Sequence, residues 1–485
     1  MKIIECVPNF SEGINEEVII KISNAMKIVK NVEILDIDIG KDTNRTVITI
    51  AGTPESVIQA AFLGIKEAAS LIDMNNHKGA HSRMGATDVC PLIPISNVTM
   101  DECIAYSKLL AEKVSKELNI PIFLYEFSSK KKYRSNLADI REGEFEGMTE
   151  KLKQEKWKPD FGPANIHKTA GVTAIGARNI LIAYNINLNT QDKKIANDIA
   201  FEIREQGRNK RNKKGKFIRD KNGIPIKKPG LLKSCKAVGW YIEEYGQAQI
   251  SMNLTNPSIT SIHKAFEVVR KEARKRGVRV TGSELVGLTP LKSITDAGLY
   301  YLCEQNKSTG IPKTNIIDIA IKSLGLNDIS TFKANEKIIE YKISNQVNKL
   351  GSMRIDNFLD ELSTDSPAPG GGSASALAGS LAASLSSMVA NLTFGKKKWT
   401  KLYTKMCSIS EESQELKDNL LQLIDNDTNS FNKVMDAYKL PKTDSITEKY
   451  RFNEIEKAMK EATLIPFQVL SSCDKILKLS IEAAK

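Results

Sequence analysis

Histidine is scarce in this chain: four in 485 residues. Cysteine is thinly spread as well. The seven cysteines, at 6, 90, 103, 235, 303, 407 and 473, are odd in number and include no Cys-x-x-Cys pair. That argues against a disulfide framework and a zinc module and suits a reducing cytoplasm. No Gly-x-Gly-x-x-Gly and no Walker-type lysine is present, so a nucleotide loop has no support. Aromatic residues make up 6%, and no RNP1-type aromatic motif occurs. The start, Met1-Lys-Ile-Ile-Glu-Cys-Val-Pro8, places a glutamate and a proline where a signal peptide needs unbroken apolar sequence.

What is present is ordinary in bulk and uneven in detail. Hydrophobic content of 41% with 26% charged residues fits a soluble globular protein, and the length calls for two to four domains. The net charge of +12 is concentrated: residues 208–233 hold eleven Lys or Arg against one acid, Asp220, which accounts for +10 of it. This stretch reads as a solvated, mobile basic loop. Nucleic-acid phosphates or an anionic substrate are its other two readings.

Residues 2–7, 32–39, 44–51 and 87–95 read as strands, with helices over 16–29 and 54–73. Thr53-Pro54 starts the second helix, and Thr99-Met-Asp-Glu102 is a capping box opening another. The resulting β-α-β-β-α-β order is ferredoxin-like. A further strand follows at 120–126. The order recurs as strand 179–188, a helix capped by Thr190, a hairpin 237–254, helix 258–276 and strand 278–281. Two such sheets would leave a groove between them, a common place for a ligand. From the polar stretch 344–351 onward only helices are expected, at 353–363, 373–394, 399–426, 428–438, 446–464 and 467–484. The fold class is therefore α/β (α+β), two ferredoxin-like subdomains followed by an all-α bundle. Residues 373–394 carry no charge and are long enough for a membrane span, but their serines and alanines favour a bundle helix.

Several stretches carry residues suited to chemistry. His77 and His81 sit four apart in a glycine-broken loop that feeds a strand, where a histidine could take or give a proton near neutrality. As a metal pair they would need a third ligand from Asp88, Cys90 or His167, and acid/base use is favoured over that. The glycine-punctuated segment Asp160 to Arg178 could hold an anionic or amide-rich ligand or simply join domains. Ser366-Pro-Ala-Pro-Gly-Gly-Gly-Ser373 precedes the uncharged helix and is either an anion site or a turn. Asp425 and Asp427, at i and i+2 of a helix, point to different faces.

Taken together, a set of motifs resembles the formimidoyltransferase–cyclodeaminase family. They are Glu5-Cys-Val-Pro-Asn-Phe-Ser-Glu-Gly13, Thr43-Asn-Arg-Thr46, His77-Lys-Gly-Ala-His-Ser-Arg-Met-Gly-Ala86, Gly176-Ala-Arg178, Asn185-Ile-Asn187 and Val280-Thr-Gly-Ser-Glu-Leu-Val-Gly287. Pro369-Gly-Gly-Gly-Ser373 and Ile424-Asp-Asn-Asp427 resemble its cyclodeaminase half. The resemblance implies domains at 1–178 and 179–330 (the two transferase subdomains), a linker at 331–351 and a helical domain at 352–485. It implies transfer of a formimino group from N-formimino-L-glutamate to N5 of tetrahydrofolate. Ring closure to 5,10-methenyltetrahydrofolate with loss of ammonia would follow.

By the same resemblance His81 is the proton acceptor, and Asp427 serves the cyclodeaminase. The folate segment is Gly162, Pro163, Ala164, Asn165, Ile166, His167, Lys168, Thr169, Ala170 and Gly171. Polyglutamylated tetrahydrofolate is the expected co-substrate, with no metal, no nucleic acid, no membrane and a homo-oligomeric state. Family members carry further helices, so the helical domain is expected to be incomplete after Lys485. A transferase without the second activity, its helical part inactive or for oligomerisation, and an RNA-binding protein using 208–233 are the rival readings.

Overall fold

The computed structural model describes residues 2–41, 43–79, 82–212, 215–220, 223–344 and 350–485. The chain divides into two compact units, one of residues 1–293 and 326–343, the other of residues 294–325 and 344–485.

In the first unit, β1 (Ile3–Cys6) and β2 (Asn9–Phe10) are two pieces of one strand running between β4 (Arg45–Gly52) and β5 (Thr87–Ser96). Pro8, which has no N–H to give a ladder, lies at the break. β3 (Val32–Gly40) pairs with the far side of β4. With α1 (Glu16–Lys27) and α2 (Pro54–Leu71), the strands give the ferredoxin-like order β3-β4-β1/β2-β5. α3 (Met100–Leu118) opens on the Thr99/Glu102 capping box and leads to β6 (Ile122–Glu126). β7 (Thr173–Ala177) then inserts parallel between β5 and β6. One sheet face carries Ile4, Cys6, Ile48 and Ile50 into a core with Val57, Ala61 and Ile65 of α2. On the other face, α4 (Leu137–Arg141) and α5 (Glu144–Leu152) cover Phe123 and Ala174.

β8 (Ile182–Leu188), α6 (Lys193–Ile203), β11 (Cys235–Ile242), β12 (Gln247–Leu254), α7 (Ile262–Lys275) and β13 (Val280–Val286) form the second sheet, in order β11-β12-β8-β13. This is the same topology as the first half. Asp192, not Thr190, caps α6, its carboxylate accepting from the Lys194 amide at 2.7 Å. The final strand runs longer than periodicity suggests, to Val286. The stretch expected to be a loop, 208–233, contains paired backbone. β9 (Arg208–Asn209) pairs with β10 (Lys227–Lys228), and Arg211–Phe217 and Arg219–Pro225 form bridges between them.

The interval 331–351, expected as linker, holds α10 (Ala334–Lys337) and α11 (Ile339–Ser344). Ile338 and Ile339 there are fully buried, and Ile339 and Ile343 pack with Ile3, Leu35 and Ala51. Apolar residues between polar ones hid these two short helices.

In the second unit, α9 (Lys313–Leu324) packs at Ile316 on Gly298 of α8 (Leu291–Glu304). After α12 (Ile355–Leu362), α13 (Gly371–Thr393) lies against α14 (Tyr403–Lys439) and α15 (Ser445–Ala484). α14 and α15 are each one continuous helix where breaks near 427 and 466 were expected. α15 runs through Pro466, an interior proline that sequence rules treat as a stop. α13 is long and apolar enough to cross a membrane by length and composition alone. One face, with Ala376, Ala383 and Ala390, is buried in the bundle. Leu381, Leu385, Met388 and Leu392 are exposed.

Candidate functional site

The loop around His77 is clasped from three directions. The Ser11 hydroxyl donates to the Gly85 carbonyl at 2.7 Å, and its amide donates to Ala86 at 2.9 Å. The Asn44 side chain accepts from the Gly13 amide at 2.9 Å and donates to the Lys78 carbonyl at 2.8 Å. At Gly79 an added Cβ would stand 2.4 Å from the Thr43 carbonyl oxygen, so only glycine permits this approach. Three motifs distant in sequence therefore meet at one place.

His77 is fully engaged within this clasp. Its Nε2 lies 2.9 Å from the Asn44 carbonyl and must donate to it. Nδ1 then accepts from Arg83 Nε at 3.2 Å. With both ring nitrogens committed, His77 is held within the loop. His81 lies outside the described residues.

Arg83 is buried and holds Glu144 at 2.6 Å and Glu146 at 2.7 Å. The hydrogen bond to Glu146 is the main reason its pKa is raised, so it stays a cation. Asp88, also buried, accepts from the Met84 amide at 3.0 Å and pairs with Arg141. Thus α4 and α5, which no motif marked, fix the loop through three ion pairs. The alternation of acids with Arg141 is the signal that could have found them. Cys90 contacts the Cys6 sulfur at 3.4 Å.

The segment 162–171 lies against the same loop. Gly85 bridges Gly171, and the Ala86 amide donates to the Ala170 carbonyl at 2.9 Å. The Val172 amide donates to Met84 at 3.0 Å, and the Asn75 side chain donates to the Lys168 carbonyl at 2.9 Å. His167 Nδ1 accepts from the Ala170 amide at 3.0 Å, leaving the proton on Nε2, and partial burial lowers its pKa. Gly162, Pro163, Ala164 and Asn165 are exposed. A neutral imidazole donor beside an open turn suits a polar, flat ligand.

The opposite face of the second sheet is polar. Trp240 Nε1 donates to Gln249 at 3.0 Å, Gln249 to Asn187 at 2.7 Å, and Asn187 to Asp328 at 2.9 Å. Asn185 donates to Glu284 at 3.3 Å. The Asn185-Ile-Asn187 motif supplies two members of this network.

In the helical unit the glycine loop and the two aspartates separate in role. Asp425 is buried and accepts from the Leu350 and Gly351 amides at 2.9 and 3.0 Å. Asp427 is half-buried and lies 3.0 Å from the Ser373 hydroxyl, at the N-terminus of α13. An added Cβ at Gly372 would stand 2.2 Å from its Oδ1, so the glycines let a carboxylate rest on the helix start. The loop's anion is thus the protein's own aspartate.

Paired ferredoxin-like sheets, a glycine-clasped histidine loop and a separate helical unit with a glycine-seated aspartate define a two-centre enzyme. The chain belongs to the formiminotransferase-cyclodeaminase family. The family descriptions that match it are formiminotransferase domain, N-terminal subdomain, over residues 3–178 and formiminotransferase domain over 183–344. Formiminotransferase-cyclodeaminase matches over 354–485. A formimidoyltransferase-cyclodeaminase of Dictyostelium discoideum is 42% identical over 97% of this chain and 84% of its own length. A glutamate formimidoyltransferase of Streptococcus pyogenes serotype M1 is 46% identical over 62% of this chain and 93% of its own. A methenyltetrahydrofolate cyclohydrolase of Methylorubrum extorquens is 38% identical over 27% of this chain and 62% of its own.

Proposed function

We propose that this protein transfers the formimino group of N-formimino-L-glutamate to N5 of tetrahydrofolate, as in histidine degradation. It then closes 5-formiminotetrahydrofolate to 5,10-methenyltetrahydrofolate. In the first reaction N5 attacks the formimino carbon and loses its proton to His81; the glutamate nitrogen takes a proton and leaves. Holding both substrates in one groove supplies the entropic share of the rate. Gly162 to Gly171 receives the folate, which is a co-substrate in polyglutamylated form, with no metal required. In the second reaction N10 attacks the same carbon, and ammonia leaves with proton transfer by Asp427.

The observation that carries the transferase reading is the clasp itself. It commits both ring nitrogens of His77 to the loop, which supports assigning proton transfer to His81, the histidine implied by the family resemblance. His81→Ala, assayed with formiminoglutamate and tetrahydrofolate, is expected to lose turnover by two or more orders of magnitude; near-wild-type turnover would remove His81 from the mechanism. The transferase-only alternative is favoured by the exposed leucines of α13, and ammonia release from 5-formiminotetrahydrofolate decides it. A cytoplasmic homo-oligomer that binds neither nucleic acid nor membrane completes the reading. Salt-sensitive RNA binding lost on deleting 208–233 would count against that part.

A further inference from the structure

Glu5 lies on β1 between Ile4 and Cys6, which point into the helix-covered core. Strand alternation turns it to the other face, with Ile3 and the paired Ala51. It is 6% exposed. Buried carboxyl groups are ordinarily hydrogen-bonded or ion-paired. Among the described residues Glu5 has neither kind of partner. Arg178, which follows β7, is close enough to act on it electrostatically but makes no ion pair with it. Among the described residues the Arg178 side chain makes one hydrogen bond, to the Asn179 carbonyl at 3.1 Å. Burial raises the Glu5 pKa to about 7, with Arg178 opposing and Glu340 adding to the rise.

A carboxyl group fixed on a strand, with both oxygens uncommitted, is complementary to two parallel N–H donors on one carbon. We propose that Glu5, with Arg178 beside it, is the receptor for an amidine edge of a transferase substrate. The inference rests on the transferase reading, whose substrates carry that edge in two places: the formimino group itself, and the aminopyrimidinone ring of tetrahydrofolate. Arg178 favours the ionised carboxyl and has further donors for a substrate oxygen.

Binding to the full chain tests this without turnover, by calorimetry on wild type, Glu5→Gln and Glu5→Asp. The probes are N-formimino-L-glutamate and N-formyl-L-glutamate, in which oxygen replaces the imino nitrogen, and tetrahydrofolate and its 2-desamino-2-methyl analogue. Glu5→Gln is expected to weaken one amidine ligand by about 10- to 100-fold while its amidine-free counterpart binds as to wild type. The ligand that weakens identifies the source of the edge. Glu5→Asp, charged but shorter, is expected to fall between. Unchanged binding of all four probes overturns the proposal. So does an equal loss across all four, or variants that no longer melt cooperatively, since either assigns Glu5 to the scaffold. Failure of the wild type to transfer the formimino group would instead sink the transferase reading while these binding constants remain measurable.

Discussion

Two pairs of like residues in this chain are read as one that supports and one proposed to act, and the supporting members are held by hydrogen bonds. His77 spends both ring nitrogens on Asn44 and Arg83, and Asp425 spends both oxygens on backbone amides. Replacing His77 by Ala leaves a donor of buried Arg83 unpaired and is expected to cost about 1–3 kcal/mol in denaturant unfolding. Glu5 behaves in the reverse sense. Its pKa in the folded chain, about 7, lies above the ordinary carboxylate range, so between the two values the folded state binds the extra proton. Stability is then greatest at low pH and is lost as pH rises toward 7, by something on the order of 2–3 kcal/mol. Urea midpoints between pH 5 and 7.5 should fall for wild type and stay flatter for Glu5→Gln; parallel slopes would show that Glu5 is not the titrating group. None of these distinctions was visible in the residues alone. Composition made a histidine base plausible, and the partners of His77 show that this one is tied to the loop.

Among elements, the loops are placed by close approach of backbone to backbone. Gly79 meets the Thr43 backbone in this way, whereas at Gly372 an added Cβ would displace the Asp427 carboxylate from its seat. Gly372→Ala is expected to abolish ammonia release from 5-formiminotetrahydrofolate while leaving formimino transfer within about twofold of wild type. Asp427→Asn should match it in the same assay, and a Gly372→Ala protein with normal release would break the link between loop and aspartate. Capping boxes and β-branched runs made most strands and α3 legible. The unbroken passage of α15 through Pro466 was not, because bundle packing outweighs one lost hydrogen bond. α4 and α5 carry little periodic signal for a different reason: they are short and half-polar, and they bring Arg141, Glu144 and Glu146 onto Asp88 and Arg83.

At the scale of the whole molecule, the doubled β-α-β-β-α-β order was legible from periodicity, and the helical remainder from the loss of strand signal after about residue 343. The boundary between the units was not, since residues 294–325 cluster with the helical part while 326–343 return to the α/β part. Such an excursion leaves no mark in local sequence. The separation into units makes the two activities separable by substitution, which is why the loop and histidine variants carry opposite expectations. The most direct measurement follows purified full-length protein supplied with N-formimino-L-glutamate and tetrahydrofolate, reading 5,10-methenyltetrahydrofolate by its near-ultraviolet absorbance and ammonia by a coupled assay. Both products are expected in equal amounts, with both lost in His81→Ala and recovered when that variant is given 5-formiminotetrahydrofolate. Formation of neither product by the wild-type chain would contradict the proposed function.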